Sequence, residues 1–251
     1  MSVLYAELRP QQFRERLATA PIAYLPLGTL EWHGEHLPLG SDGLQSQGFF
    51  VELAEEVGGI VLPMLFLGPD RMRETETGPL YGMDLCLTSA PEYQYPTQQL
   101  DGSAYWAPDA LYHDLLRATL AQLARAGFGI VVGHGHGPST RAFAEGHDEW
   151  RDSFGLETLT CWGSDVDREG LGIQVDHAAM NETSLMMALH PDLVDLTALS
   201  DDPAIWPVGV GGRDPRVHAS RELGLRIIAL QKERMAGLLR VALAALPARS
   251  V

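Results

Sequence analysis

Apolar residues recur along this chain in two periods, and the alternation between them predicts the fold. The run 22-IAYLPL-27 is apolar throughout, as a short strand buried on both faces requires. The next stretch, 44-LQSQGFFVELAEEV-57, spaces its apolar positions for a helix, and Gly58-Gly59 separates it from a second run, 60-IVLPMLF-66. Strand, helix and strand in such quick succession give parallel neighbours joined by a right-handed crossover. Farther on, 109-DALYHDLLRATLAQLARAG-127 sets Leu111, Leu115, Leu116, Leu120 and Leu123 along one helical stripe, with Pro108 at its start and Gly127 past its end. The strand 128-FGIVV-132 follows directly, and helices over about 182–190 and 220–246 complete the series. The pattern predicts an α/β fold, three-layer αβα with a mostly parallel central sheet, formed by one domain over residues 1–251. Residues 67–106 and much of 198–218 show no sustained period; loops of that length are functional or conceal strands.

Composition narrows the function classes. The 33 acidic against 18 basic residues give a net charge of −15, which repels phosphate backbones and anionic lipid, so neither nucleic acid nor membrane is an expected partner. Two cysteines, Cys86 and Cys161, without CxxC spacing fit a reducing, cytoplasmic setting. The N-terminus carries no basic-then-apolar leader. There is no GxxxxGK[ST] phosphate loop, no GxGxxG opening a helix and no GxSxG elbow.

The informative chemistry lies where strands end. In open parallel sheets ligands bind beyond the carboxyl ends of the strands. Glu31 and His33 follow the first strand, and His134 and His136 in 133-GHGHG-137 follow the strand 128–132. An i, i+2 pair on extended backbone points both side chains to one side, so each pair can face a common centre. Asp42, just before a helix, can return to the same place; with Ser41 it could equally cap that helix. Together Glu31, His33, Asp42, His134 and His136 form the oxygen and nitrogen donor set that suits zinc, manganese or iron. Glu35 and His36 are surplus to it and read as a solvated carboxylate and a hydrogen-bonded loop histidine.

The stretch 26-PLGTLEWHGEHLPLGSD-42 resembles the first motif of the creatininase family of metal-dependent amidohydrolases. The resemblance recurs at 130-IVVGHGHG-137, where that family has an Asn-Gly-His-Gly-Gly-Asn loop or a His-x-Glu variant. It recurs again at 176-DHAAMNETSLMMALHPDLVD-195, similar to its HAGxxETS segment, and at 209-GVGGRDPRVHASRELG-224. The resemblance implies two divalent metal ions per chain, with Glu31 and His134 on the first, His33 on the second, Asp42 bridging, and His136 in place of a ligating glutamate. It implies His177 as proton shuttle and Glu182 as the acid of the ETS segment. It further implies a metal-bridging hydroxide attacking the carbonyl of a cyclic amide or other non-peptide C–N bond of a small polar molecule, and assembly as a homo-oligomer, a hexamer in similar family members. A keto-inositol type of substrate with C–C cleavage, or a non-catalytic metal-binding role, are the alternatives. Departures from the family pattern at Val132, Gly135 and Met180 imply a substrate pocket unlike that of creatininase. Arg71, Arg73 and the tyrosines of residues 67–106 are candidates for a lid or pocket wall.

Overall fold

The computed structural model describes residues 2–86 and 94–247. Its central sheet holds four strands in the order β2-β1-β5-β6, all parallel: β1 (Ile22–Leu27), β2 (Ile60–Val61), β5 (Ile130–Gly135) and β6 (Glu157–Leu159). Side chains alternate across β1 and β5 and so divide the core in two. Ile22, Tyr24, Ile130 and Val132 face one layer, where Phe49, Phe50 and Leu53 of α2 (Ser41–Val57), Leu185 of α7 (Met180–Leu189) and Ile227, Met235 and Leu239 of α9 (Arg221–Ala245) pack. Ala23, Leu25, Leu27 and Val131 face the other. There they meet Tyr112, Leu116 and Leu120 of α3 (Asp109–Ala126), Phe143 of α4 (Gly137–Glu145) and Trp150 of α5 (His147–Phe154). This is the expected three-layer αβα fold, and each large side chain so buried contributes roughly 1.5–3 kcal/mol. Among the described residues no helix is long and apolar enough to cross a membrane.

Three differences from the sequence reading have local causes. The run 60–66 forms a ladder only over Ile60–Val61, because three residues from Leu62 to Leu65 span two from Tyr24 to Pro26; the amides of Leu62 and Leu65 still reach Tyr24 and Pro26, and the Gly28 amide reaches Leu65. That interruption also explains a proline inside the central strand β1. The Pro26 carbonyl points to Leu65, so its missing N–H faces the interrupted stretch just before pairing resumes at Leu27 and Leu65. The aperiodic segment 67–106 contains a two-stranded antiparallel hairpin, β3 (Met72–Thr75) with β4 (Gly78–Tyr81), whose largely exposed faces leave no alternation to detect; residues 87–93 of that segment lie outside the described residues. Helices α1 (Pro10–Thr19), α4 and α5 and strand β6 complete the layers and were not foreseen from periodicity, while α6 (Ser164–Arg168) and α8 (Pro215–His218) are short turns within connections.

The strand end that matters most is Gly135. It pairs with Leu27 at φ +150°, and a Cβ there would stand 1.8 Å from the Leu27 carbonyl oxygen. No side chain can be accommodated by small adjustments of backbone that is itself in the sheet. Gly135→Ala is expected to lower unfolding free energy by at least about 3 kcal/mol, read as a shifted urea midpoint at unchanged slope.

Candidate metal centre

Three sequence-distant stretches meet beyond the carboxyl ends of β1 and β5. The loop 28–40 folds back on itself through the Glu31 amide, which donates to the Leu39 carbonyl at 3.0 Å, and this turns Glu31 and His33 inward. Asp42 lies in the first turn of α2, whose N-cap is Gly40; neither Ser41 nor Asp42 caps the helix, so the Asp42 carboxylate faces the centre. The β5–α4 junction supplies His136, the segment before α7 supplies His177, and the first turn of α7 supplies Glu182. Glu31, His33, Asp42, His136 and Glu182 are all buried, at 4% exposure or less.

His33 defines the electrostatics. Its Nδ1 donates to the Glu31 carbonyl at 3.0 Å, which directs Nε2 into the site. That atom has no hydrogen-bond partner among the described residues, yet it stands 3.4 Å from Asp42 Oδ1 and 3.7 Å from Glu182 Oε2. Across the site, His136 Nδ1 stands 3.3 Å from Asp42 Oδ2 and 3.4 Å from Glu31 Oε2. These spacings are long for charge-assisted hydrogen bonds. They match the about 3.4 Å between two donors that share a tetrahedral ion at about 2.1 Å. Three groups of donors converge closely enough to hold a cation: Glu31 with His33 and His177, Glu31 with Asp70 and His136, and His33 with Asp42 and Glu182.

Burial works against every charge here, and the neighbours decide which charges survive. His33 would be neutralised by burial, but Asp42, Glu182 and Glu31 outweigh that and push the imidazole up to about 10. His136 is likewise opposed by burial and raised well above the usual range by Asp42, Asp70 and Glu31. The same interactions, seen from the carboxylates, hold Asp42 and Glu31 below their usual values despite burial. Glu182 goes the other way: burial drives it well above the usual range and His33 only partly offsets this, with Asp42 and Asp176 adding to the rise.

The surrounding residues lock this arrangement. Gln174, at the unusual φ of +54°, donates through Nε2 to Asp42 Oδ1 at 3.2 Å and receives the Ser46 hydroxyl at 2.8 Å. Ala178, at φ +52°, gives its amide to Glu182 Oε2 at 2.8 Å. Two strained non-glycine residues beside one cluster are the mark of a site whose geometry outranks local backbone preference. His177 is pinned by a two-hydrogen-bond bridge to Gly211, stacks on His33 at 4.3 Å between ring centres, and directs Nε2 to the Trp32 carbonyl at 2.8 Å. Burial, then the charge on His33, keep it below its usual range. His36 binds Thr183 Oγ1 at 2.9 Å, and burial lowers it to about 4, while Glu35 is exposed; both stand apart from the three donor groups.

His134 is the predicted site residue that the structure does not bring in. Its Nε2 meets the Ile173 carbonyl at 2.9 Å, its ring stands edge-on to Trp162, and it belongs to none of the three donor groups. The structure thus sets His136 rather than His134 beside Glu31, while His134 keeps a buried Nδ1 with no hydrogen-bond partner among the described residues. Side-chain alternation ends at Gly135, whose φ turns the chain so that His134 stays in the strand while His136 heads α4. The sequence carried a signal for this. Written as 134-HGHGPS-139, the loop fits Asn-Gly-His-Gly-Gly-Asn with His136 as its histidine. Asp70 was missed altogether; its Oδ2 lies 3.4 Å from His136 Nε2, which also reaches the Pro69 carbonyl at 3.2 Å. A lone acid in an aperiodic loop gives no pattern by which to find it.

Carboxylates and imidazoles caged at the carboxyl edge of a parallel αβα sheet define the architecture of a metal-dependent hydrolase. Residues 6–224 match the family described as Creatininase: Creatinine amidohydrolase, so the chain belongs to the creatininase family. It is 29% identical over 221 residues to the creatinine amidohydrolase of Pseudomonas putida, covering 80% of this chain and 77% of that one. Among solved structures, a mutant creatininase of Zn-Zn type superposes with a TM-score of 0.73 at 24% identity, covering 97% of this chain and 99% of its own, a likeness of fold. A manganese creatininase superposes with a TM-score of 0.72 at 25% identity over the same shares.

Since His33 and His136 hold protons against burial, a divalent ion entering the cage must displace them, and its affinity rises with pH through the neutral range. Zinc titrations of metal-stripped protein between about pH 6 and about pH 8 are expected to show the apparent Kd falling tenfold or more per pH unit. A pH-independent Kd would show that the imidazoles are already unprotonated.

Proposed function

We propose that this protein is a metal-dependent hydrolase that opens an amide-type C–N bond in a small polar molecule. The observation that carries the reading is His33: a buried imidazole nitrogen with no hydrogen-bond partner among the described residues, facing two carboxylates at cage distances. Glu31, Asp42 and His136 Nδ1 would hold one divalent ion, and His33 Nε2, Asp42 and Glu182 a second, with Asp42 shared. His136 Nε2 then points to Asp70 and the Pro69 carbonyl, the outer partners that fix a ligating imidazole's tautomer. Two such ions, zinc or manganese as in the relatives, would supply the Lewis acidity that lowers the pKa of a bound water and polarises a carbonyl.

The protein's own groups do the remainder. His177 donates Nε2–H to the Trp32 carbonyl, which leaves Nδ1 as acceptor, and its lowered pKa keeps that acceptor free near neutrality. It takes a proton from the attacking water and returns it to the departing nitrogen. Glu182 acts through His33 and the second ion, and the Gln174 amide steadies Asp42. The chamber above these residues, lined by Asp176, His177 and Glu182 among others, encloses about 240 Å³. That is below the roughly 300–1,000 Å³ of clefts for drug-sized ligands, which supports a small substrate.

Metal content and turnover of cyclic amides, creatinine first, test the reading together. Chelator-treated protein is expected to be inactive, and to recover with zinc or manganese. His136→Ala is expected to lose at least one of about two ions per chain, whereas His134→Ala retains both; the opposite pattern restores His134 to the cage. His177→Gln should keep its metal while kcat falls roughly a hundred- to ten-thousandfold, and a merely structural His177 would leave kcat near wild type.

A further inference from the structure

Two cavities lie end to end outside the sheet. The inner chamber of about 240 Å³ holds the catalytic cluster, and an outer vestibule of about 550 Å³ runs between the 69–71 loop and α4. The walls they share are Asp70, Arg71, Pro138 and Arg141. Any substrate that reaches the inner chamber by this route passes two arginines contributed by separate segments, one just ahead of β3 and one in the second turn of α4.

Among the described residues Arg117, Arg151, Arg216 and Arg240 pair with carboxylates, and others such as Arg16 and Arg234 are spent on backbone carbonyls. Arg71 and Arg141 have no carboxylate within ion-pair distance among the described residues, although Asp70 lines both cavities and Glu145 the vestibule. The N-terminus of α4 opens at the same neck, with His136 as its N-cap, and its dipole adds to the positive potential. The vestibule itself is acidic, through Asp109, Glu145 and Glu149, the last already engaged by His113 and Arg117. An anion is therefore repelled from the vestibule and held only at the neck.

We infer that Arg71 and Arg141 read a carboxylate on the substrate, so that the molecule hydrolysed is a small amide bearing a single negative charge at the end away from the scissile bond. Asp70 shares the neck and raises the cost of a dianion, which selects a carboxylate over a phosphate monoester. A guanidinium pair grips a carboxylate through paired N–H donors, and this anchors the amide carbonyl inward over the cage. The inference names a substrate class for the hydrolase reading above and rests on it, but the binding test does not depend on turnover.

The test compares N-acetylglycine with its uncharged counterpart N-acetylglycinamide as calorimetric ligands of the protein carrying its purified metal. Wild type is expected to prefer the carboxylate by roughly tenfold or more, and Arg71→Gln/Arg141→Gln to lose that preference; both side chains are exposed, so the double variant folds. Direct ligation of carboxylate by the metal would survive in the double variant, so a preference retained there overturns the inference, as does the lack of any preference in wild type. Failure of the hydrolase reading shows separately, as metal-loaded protein that keeps the Arg-dependent preference yet turns over no amide.

Discussion

Everything at the site follows from one constraint: charges withdrawn from water must be matched by charges within reach. Glu31, Asp42 and Glu182 are carboxylates in a setting that penalises each, and among the described residues the cationic groups within ion-pair distance of them are two imidazoles. An uncompensated buried carboxylate costs several kcal/mol, so the cluster is stable only with protons or metal cations between the oxygens. The spacing is wide for the first and apt for the second. A centre built this way is poor at being empty, and its fold stability is coupled to what fills it.

The sheet supplies the precision. Short parallel strands buried on both faces leave little freedom in β1 and β5, and the loops that carry donors depart from their ends within a few residues. The close approach of Gly135 to Leu27 sets where β5 stops and hence where His136 points. The strained backbone at Gln174 and Ala178 shows the cost moved into the donor loops, while the regular layers on either side absorb it through packing.

Much of this was legible in the sequence. Continuous apolar runs at 22–27 and 128–132 and the leucine stripe of α3 give the layers, because buried parallel strands and amphipathic helices have unmistakable periods. Glu31, His33 and Asp42 were readable from their position past a strand. The choice between His134 and His136 was not, because it depends on one glycine torsion, which periodicity does not encode. Asp70 was out of reach for a different reason: its role comes from a loop laid across the site by the hairpin β3–β4, a placement that no local pattern records.

The stacking of His177 on His33 has one more consequence. A proton on His33 discourages one on His177, and a dication bound to the far side of His33 would exert the same electrostatic push. Whether the cage holds protons or metal, the neighbour of the acceptor is positive. In the proposed role, His177 would thus be insulated from the loading state of the centre, its readiness to accept a proton set by the folded chain rather than switched on by assembly.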